Sequence, residues 1–344
     1  MIPTRVDHVT AEWLGEFLGL RVDDLEILQH TQGAATRLRL RVRYGQPVGL
    51  PEVLFLKTSL TRRMMVADPH MYLTEVRFYE RIRPGLDCET PAVYACAVDE
   101  RTNRFAVVIE DVSQRKAGFP TAETHLSGDE LASLMSTLAA LHAANWDRPD
   151  LESAFDWLET SIRGRSAEWW LNREGRRAFD FEVGEPYKAA AVESVPVDRL
   201  YEAFARLQRA NDQGPRTVLH GDVHIGNCYQ LPDGAFGLLD WQLMRVANWA
   251  NDVAYAIVTG LDVETRRASE RVLLRHYLAE LSAHGVETPP WEVAWRQYRQ
   301  QMVWGIVTWM VTPTSMYSRE LLDRLIRRSV AAADDLDSYA ALGC

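Results

Sequence analysis

Apolar and polar residues alternate strictly in one early segment of the chain, RLRLRVRY (residues 37–44), where Leu38, Leu40 and Val42 separate four arginines. A repeat of two is the period of a β-strand that buries one face and exposes the other. We therefore predict a strand here. The arginines most simply form a solvated outer face, and phosphate binding is the alternative.

The rest of the first 112 residues predicts mostly antiparallel sheet with one internal helix. Further strand-like runs are LEILQHT (25–31), EVLFLKTSL (52–60), TPAVYACAV (90–98) and RFAVVIEDV (104–112). Thr10 could cap a short helix over residues 11–20, where apolar residues recur at helical spacing. The internal helix, residues 69–82, has a proline at its start and stops before Pro84.

After residue 112 the pattern changes to that of helices. A polar connector, SQRKAGFPTAETHLSG, leads into predicted helices over residues 129–145, 197–210, 250–259, 264–284, 291–310 and 318–341. The exception is a hairpin that turns at LPDG (231–234). We predict an α+β chain with a sheet-rich lobe (residues 1–112) and a larger helical lobe (113–344). A cleft between such lobes is a natural small-molecule site.

The acidic balance of the chain bears on its partners. The net charge is −10 and the pI is about 5.5, which argues against nucleic acid because phosphate backbones select basic surfaces. Solubility explains this charge, and attraction of a cationic small substrate is the alternative.

Cysteine spacing and apolar segments bear on the compartment. Cys88, Cys96, Cys228 and Cys344 form no CxxC pair, so we expect free thiols in a reducing compartment. The N-terminus lacks the continuous apolar core of a signal peptide. The most apolar stretch, residues 302–313, is too short to span a bilayer. We expect a soluble, cytoplasmic protein without a membrane partner.

The densest chemistry lies in VLHGDVHIGNCYQLPDGAFGLLDW (residues 218–241). Asp222 and Asn227 are five residues apart, and a hairpin turning at residues 232–234 would bring Asp240 back beside Asn227. A carboxylate and an amide oxygen suit Mg²⁺. Asp222 would then be free to act as the base of a phosphoryl transfer.

The sheet lobe could supply the complementary groups. Lys57 ends an apolar strand, and Glu75 follows eighteen residues later on the internal helix, where it could pair with the lysine. The segment QGAAT (residues 32–36) could fold its backbone over phosphates, because Gly33 and two alanines permit close approach.

Together these motifs resemble a known superfamily. HGDVHIGN…LLDW is similar to the catalytic loop and metal-binding segment of the aminoglycoside phosphotransferase and choline kinase superfamily, which has a two-lobed protein-kinase-like fold. Lys57, Glu75, IEDV, LAALHA, Asp222, Asn227, Asp240 and NDVAY follow the order of that superfamily along the chain. The branch that the sequence most resembles is the ecdysteroid-kinase-like one, on the ordered segments YLTEVRFYERI, TPAVYAC, VVIEDV, LHAANW, HGDVHIGN and DWQ.

The resemblance implies a role for each matching residue. Asp222 would be the catalytic base, and Asn227 and Asp240 would bind Mg²⁺. Lys57 would hold the α- and β-phosphates of ATP or GTP and would be fixed by Glu75.

The resemblance also assigns the nucleotide base and the support of the catalytic loop. The backbone of Glu110, Asp111 and Val112 would meet the nucleotide base at the hinge. His220 would brace the catalytic loop, and Asp252 would support it from the next helix. The segment QGAATR departs from the pattern, since it is poor in glycine and has no serine where many relatives have one.

Two other interpretations compete with a kinase. His220, Asp222 and His224 could form a transition-metal site of a hydrolase, although this leaves the other matching residues unexplained. The chain could instead be a catalytically silent nucleotide-binding protein of the same fold, although the complete residue set argues against decay. His142, among leucines on its helix, is expected to be a bonded core or interlobe histidine and not a catalyst.

Tryptophans in the C-terminal lobe are candidates for contact with the substrate. We single out Trp241, Trp249, Trp304 and Trp309. Their faces could bind a cation or a flat apolar skeleton, and core packing is the alternative for each.

We predict an ATP- or GTP-dependent, Mg²⁺-assisted O-phosphotransferase that acts on a hydroxyl of a small molecule. Aminoglycosides, macrolides, choline-like alcohols, steroid-like alcohols and biosynthetic intermediates are all open as acceptors. The sequence assigns neither the preferred nucleotide nor the oligomeric state.

Overall fold

The computed structural model describes residues 2–33, 35–60, 69–165, 167–168, 172–193 and 195–344. The chain divides into two compact units. The first is Met1–Gly118 with Leu238–Leu243, and the second is Phe119–Gly237 with Met244–Cys344. The first unit is therefore discontinuous in sequence, because a short segment after the predicted hairpin belongs to it.

The first unit is built on an antiparallel sheet. Its strands are β1 (Val22–Gln32), β2 (Thr36–Tyr44), β3 (Val53–Thr58), β4 (Val93–Asp99) and β5 (Arg104–Glu110), in the order β1-β2-β3-β5-β4. Helix α1 (Ala11–Leu18) precedes the sheet. Helix α2 (Pro69–Arg77) follows β3 and continues as a π-helical segment, Phe78–Ile82. The predicted sheet with one internal helix is confirmed.

Strand β2 has the predicted alternation. Its apolar side chains are buried, and its arginines lie on the other face, where Arg41 pairs with Glu26 at 2.5 Å and Arg39 pairs with Asp111 at 2.6 Å. The solvated outer face is thus largely as expected. The buried face joins a core cluster whose members are Val9, Leu14, Leu38, Leu40, Val42, Leu54, Leu56, Ala106 and Val108.

Helix α1 begins at the predicted cap. The Thr10 hydroxyl accepts a hydrogen bond from the backbone N–H of Trp13, 3.1 Å away. The helix ends two residues earlier than predicted because Gly19 adopts a left-handed φ of 67°, a conformation that glycine tolerates and that terminates helices.

Helices make up most of the second unit. In chain order they are α3 (Gly128–Ala143), α4 (Leu151–Ala154), α5 (Arg173–Val183), α6 (Pro186–Ala191), α7 (Val197–Asn211), α8 (Ala250–Gly260), α9 (Val263–Ala283), α10 (Trp291–Gln300), α11 (Met302–Val311), α12 (Arg319–Asp335) and α13 (Ser338–Ala341). The sequence analysis missed α4, α5 and α6. It also joined α10 to α11 and α12 to α13, which are separate helices.

Short strands complete the second unit. β6 (Glu159–Thr160), β10 (Arg245–Asn248) and β7 (Arg216–Leu219) form a sheet in that order, which the sequence analysis did not predict. β8 (Cys228–Gln230) pairs with β9 (Phe236–Leu238). The predicted turn between them is confirmed, since the N–H of Gly234 donates to the Leu231 carbonyl at 2.9 Å.

Two further expectations concern cysteines and membranes. The four cysteines are free thiols, as predicted. Within the described ranges, no helix combines the length and the apolar character that crossing a membrane requires.

Candidate active site

A buried lysine in the first unit lies between two carboxylates. Lys57, near the end of β3, places its Nζ 3.0 Å from Oε1 and 2.8 Å from Oε2 of Glu75. The same Nζ lies 2.9 Å from Oδ1 of Asp240. The Lys57 side chain is 8% exposed, so this is an interior ion pair and not a surface lysine. The predicted pairing with Glu75 is present in the structure.

Burial and the neighbouring charges shift the pKa values of the groups in this cluster. Burial alone would lower the pKa of Lys57, but Asp240 and Glu75 outweigh it and raise that pKa. Burial raises the pKa of Glu75 even though Lys57 and Gln242 donate hydrogen bonds to it. The Lys57 ammonium thus lies between two carboxylates, of which Asp240 is the more exposed, with 36% of its side chain accessible.

The backbone at Asp240 is held in an unusual conformation. Its φ is 65°, which a non-glycine residue rarely adopts. This conformation costs on the order of 1–3 kcal/mol and persists only where the surrounding structure imposes it. The next residue, Trp241, is fully buried and stacks on Phe78 with ring centroids 3.7 Å apart. We therefore assign Trp241 to packing that anchors this segment, which is the alternative to substrate contact that the sequence analysis left open.

The second unit contains a separate carboxylate–amide pair. Asp222 lies in the loop after β7, and Asn227 closes the 3₁₀ turn Ile225–Asn227. Asn227 donates from Nδ2 to the backbone carbonyl of Asp222 at 2.9 Å and to its Oδ2 at 3.0 Å. The amide nitrogen is thus turned toward Asp222, so Oδ1 is the atom that Asn227 could offer to a metal. The Asp222 side chain is 23% exposed and can be reached by a ligand.

A buried aspartate supports the loop that carries Asp222. Asp252, on α8, accepts hydrogen bonds from the backbone N–H of His220 at 2.7 Å and of Gly221 at 3.0 Å. It also accepts from Nε2 of His142 at 3.3 Å. Burial would raise the pKa of Asp252, but these donors and the nearby imidazoles hold it below its usual value. His220 in turn accepts at Nδ1 from the backbone N–H of Asp222 at 3.3 Å.

His142 is a bonded core histidine, as predicted. Its ring is fully buried, and Nδ1 lies 2.8 Å from the hydroxyl of Tyr277. Because a carboxylate can only accept, Nε2 carries a proton that it donates to Asp252. This chain of hydrogen bonds fixes the orientation of Asp252.

Asp252→Asn should destabilise the protein by about 3 kcal/mol. The amide nitrogen of asparagine would face at least one of the buried N–H groups that now donate to the carboxylate, and that hydrogen bond would be lost. Urea unfolding measures the change. The control is Asp150→Asn, which weakens an exposed pair with Arg148 and should leave the stability nearly unchanged, because solvent screens exposed ion pairs. Equal effects of the two substitutions would contradict the supporting role of Asp252.

The sequence analysis missed two polar residues at these clusters. Gln242 donates to Glu75 at 3.1 Å. Arg245, on β10, donates to the Gly221 carbonyl at 3.4 Å and to Oδ1 of Asn251 at 2.7 Å. The signal for Arg245 was a charged residue in a short strand of otherwise buried residues. Burial lowers its pKa to about 10, although nearby carboxylates oppose the shift.

The predicted nucleotide contacts lie in the first unit. The Glu110 N–H donates to the Ala92 carbonyl at 2.8 Å. The Asp111 carboxylate caps the 3₁₀ turn that starts at Val112 by accepting from the Ser113 N–H. Their contact with a nucleotide base stays a prediction.

The loop predicted to cover phosphates is described in part. The Gly33 N–H donates to the Ala35 carbonyl at 3.0 Å. Ala34, at the centre of the loop, lies outside the described residues, so phosphate binding by this loop also stays a prediction.

The remaining predicted tryptophans differ in their surroundings. Trp249 is fully buried, stacks on Tyr277 and donates to Gln297, which favours the packing alternative for this residue. Arg245 lies 3.9 Å from the ring centroid of Trp304. The ring of Trp309 lies 5.2 Å from that of His224. Substrate contact by Trp304 or Trp309 stays a prediction.

The hydrolase interpretation finds no support in the geometry. Within the described ranges, no three histidine, cysteine, aspartate or glutamate side chains are grouped so that they could hold a metal ion. Nδ1 of His220 and Nδ1 of His224 each accept a backbone N–H. These two nitrogens are therefore engaged in loop structure.

The donor chemistry fits magnesium better than a transition metal. In the first unit Asp240 offers a partly exposed carboxylate, and in the second unit Asn227 offers an amide oxygen. Hard oxygen ligands of this kind suit Mg²⁺, which also takes water and phosphate oxygens. Asp222, oriented by Asn227, could accept a proton from a hydroxyl.

Comparisons with known proteins identify a family for this chain. A family model described as the ecdysteroid kinase-like family matches residues 34–286. A comparison with the sequences of curated proteins found no match.

Several solved structures resemble the chain at low sequence identity. A macrolide 2'-phosphotransferase from Brachybacterium faecium is 17% identical over 92% of this chain and 96% of its own, with a TM-score of 0.51. A microcompartment-associated aminopropanol kinase is 16% identical over 92% and 93%, with a TM-score of 0.55. A spectinomycin phosphotransferase, solved with ADP and spectinomycin, is 12% identical over 98% and 99%, with a TM-score of 0.55. This likeness shows the fold, an α+β protein-kinase-like fold.

Proposed function

Because this chain belongs to the ecdysteroid kinase-like family, we propose that it transfers the terminal phosphoryl group of ATP or GTP to a hydroxyl of a small molecule. Membership places the chain among the small-molecule phosphotransferases. The nucleotide, the metal and the class of acceptor are parts of the proposal.

The observation that carries the proposal is the position of Lys57 between Glu75 and Asp240. Removing an ammonium and its carboxylate partners from water costs desolvation free energy, and this cost argues against a purely structural role for these residues. A lysine fixed by one carboxylate can direct its charge at nucleotide phosphates. A second, partly exposed carboxylate beside it supplies a ligand for a metal.

In the proposed reaction Asp222 orients the acceptor hydroxyl and receives its proton as the oxygen attacks the terminal phosphorus. The electrons of the breaking P–O bond leave with the nucleoside diphosphate. Lys57 stabilises negative charge on the phosphates. Asp252, through the backbone of His220 and Gly221, keeps the loop that carries Asp222 in place.

Asn227 and Asp240 would hold Mg²⁺, whose positive charge offsets the negative charge of the phosphates in the transition state. The carboxylate of Asp240 and the amide oxygen of Asn227 are hard oxygen ligands of the kind that Mg²⁺ prefers, which supports this assignment. The exposed fraction of the Asp240 carboxylate leaves it available to a ligand.

The experiment that tests the function incubates the purified protein with Mg²⁺ and labelled ATP or GTP, together with a panel of alcohols. The panel covers aminoglycosides, macrolides, amino alcohols and sterol-like alcohols. We expect one class to gain a single phosphoryl group, read by mass spectrometry. Binding of nucleotide without transfer to any alcohol would contradict the proposal and favour a silent nucleotide-binding protein.

A further inference from the structure

His224 lies two residues after Asp222 and has no part in the reaction proposed so far. It occupies the cap position of the 3₁₀ turn Ile225–Asn227. Its side chain is 7% exposed, compared with 23% for Asp222. The imidazole of His224 is thus nearly buried and lies close to the candidate base.

The backbone fixes which ring nitrogen carries the proton. The N–H of Gly226 donates to Nδ1 of His224 at 3.1 Å, so Nδ1 is an acceptor. In the neutral ring the proton is therefore on Nε2. Nε2 lies 3.4 Å from the hydroxyl of Tyr317 and 4.0 Å from Oδ2 of Asp222.

Aromatic side chains hold the ring in this orientation. The rings of Tyr255, Trp309 and Tyr317 meet it edge-to-face, with centroids 6.3, 5.2 and 6.0 Å away. Their interplanar angles are 77°, 77° and 89°. Edge-to-face contacts on several sides oppose rotation of the imidazole, so the Nε2–H points in a fixed direction.

The separation of 4.0 Å between Nε2 and Oδ2 is too long for a direct hydrogen bond but matches a bridged one. An oxygen about 2.8 Å from both atoms would complete the bridge, with an angle close to a right angle at that oxygen. Such an oxygen could accept from Nε2–H and donate to Oδ2. A hydroxyl group has this combination of donor and acceptor capacity.

We propose that the acceptor hydroxyl binds between His224 and Asp222, so that His224 is a second catalytic residue that contacts the attacking oxygen. This proposal rests on the proposed function. The oxygen donates its proton to Oδ2 of Asp222, accepts from Nε2–H of His224 and forms the new P–O bond with its other lone pair. The bond from phosphorus to the nucleoside diphosphate breaks, the hydroxyl proton ends on Asp222, and His224 keeps its proton throughout.

The hydrogen bond from His224 would favour the reaction by orienting the attacking oxygen. Phosphoryl transfer passes through a loose transition state in most analyses, so that catalysis depends on positioning more than on the strength of the nucleophile. Asp222 alone leaves the hydroxyl free to rotate about one hydrogen bond. A second bond from a fixed imidazole removes this freedom.

The competing explanation is that His224 serves only as a cap, and two substitutions separate the roles. His224→Asn keeps an acceptor for the Gly226 N–H, since asparagine is a good cap residue, but it is too short to reach the hydroxyl. His224→Gln can place its amide N–H where Nε2–H lies but loses the cap. A cap role therefore predicts that Asn is the milder change, and a catalytic role predicts that Gln is.

The test compares kcat and KM of both variants for acceptor and nucleotide, with thermal unfolding as a check on the fold. We expect His224→Asn to lower kcat/KM for the acceptor by about 10²-fold, as when one preorganised donor is removed. His224→Gln should retain at least about tenfold more activity than His224→Asn, and KM for the nucleotide should stay the same in both. A ratio near one, or a more active Asn variant, overturns the proposal.

Wild-type protein and Asp222→Ala distinguish this failure from failure of the proposed function. If the wild type transfers no phosphoryl group to any alcohol, the proposed function is wrong, and the bridging role falls with it. If the wild type is active, Asp222→Ala is inactive and the two His224 variants are alike, only the bridging role is wrong.

Discussion

Asp222→Ala should abolish phosphoryl transfer while the protein still binds the magnesium–nucleotide complex. The substitution removes the group that orients the acceptor hydroxyl and takes its proton, and loss of a general base costs on the order of 10²–10⁴ in rate. Asn227 donates to the Asp222 carboxylate at 3.0 Å but also to its backbone carbonyl at 2.9 Å. The second bond survives in the variant, so the loop should keep its structure.

The measurement combines kcat for the best alcohol with a titration of nucleotide affinity. Asp233→Asn is the matched control, because it changes an exposed aspartate of the β8–β9 turn. We expect the control to behave as the wild type in both assays. Near-normal turnover by Asp222→Ala would show that the base is another group.

Lys57→Met should weaken nucleotide binding and turnover together, by about 10² or more in kcat/KM, because a preorganised charge on the phosphates is lost. The substitution keeps the length of the side chain but leaves Glu75 and Asp240 without their shared cation. Removing one partner of a buried ion pair also costs about 3–5 kcal/mol of stability. Both effects should therefore appear.

A double substitution separates the two effects of losing Lys57. Adding Glu75→Gln to Lys57→Met removes the stranded carboxylate, so unfolding measurements should show much of the stability recovered. Nucleotide affinity should stay low, since the ammonium is still missing. Lys116→Met is the control, because Lys116 is an exposed lysine after a 3₁₀ turn. Normal nucleotide affinity in the double variant would remove Lys57 from the nucleotide site.

Local patterns in the sequence were sufficient for several elements. The alternation in β2 predicts a strand because the side chains of a strand point to opposite faces in turn. The Thr10 cap and the LPDG turn depend on neighbours within a few residues. The spacing of Lys57 and Glu75 placed the two on a strand and the following helix, and the structure brings them to 2.8 Å.

Helix boundaries in the C-terminal part show where local patterns fail. The apolar periodicity continues through Gln301, so residues 291–310 were predicted as a single helix. The structure divides it there, and the buried Gln301 bonds to Asn211 and Asn251. These partners are 90 and 50 residues away in sequence, and no local pattern contains them.

The sequence by itself determined the kind of chemistry, because Asp222, Asn227 and Asp240 occur with a spacing and order that suit phosphoryl transfer. Only the tertiary structure decided how the groups of the site are held. Gln242 donates a hydrogen bond to Glu75, and Asp252 accepts one from the backbone of the loop that carries Asp222. It also directs Nε2 of His224 toward Asp222. Such contacts depend on distances of a few ångströms between segments remote in the chain. A linear sequence carries residue types and local periods, but the hydrogen bonds and pKa shifts at a site arise from neighbours that only folding brings together.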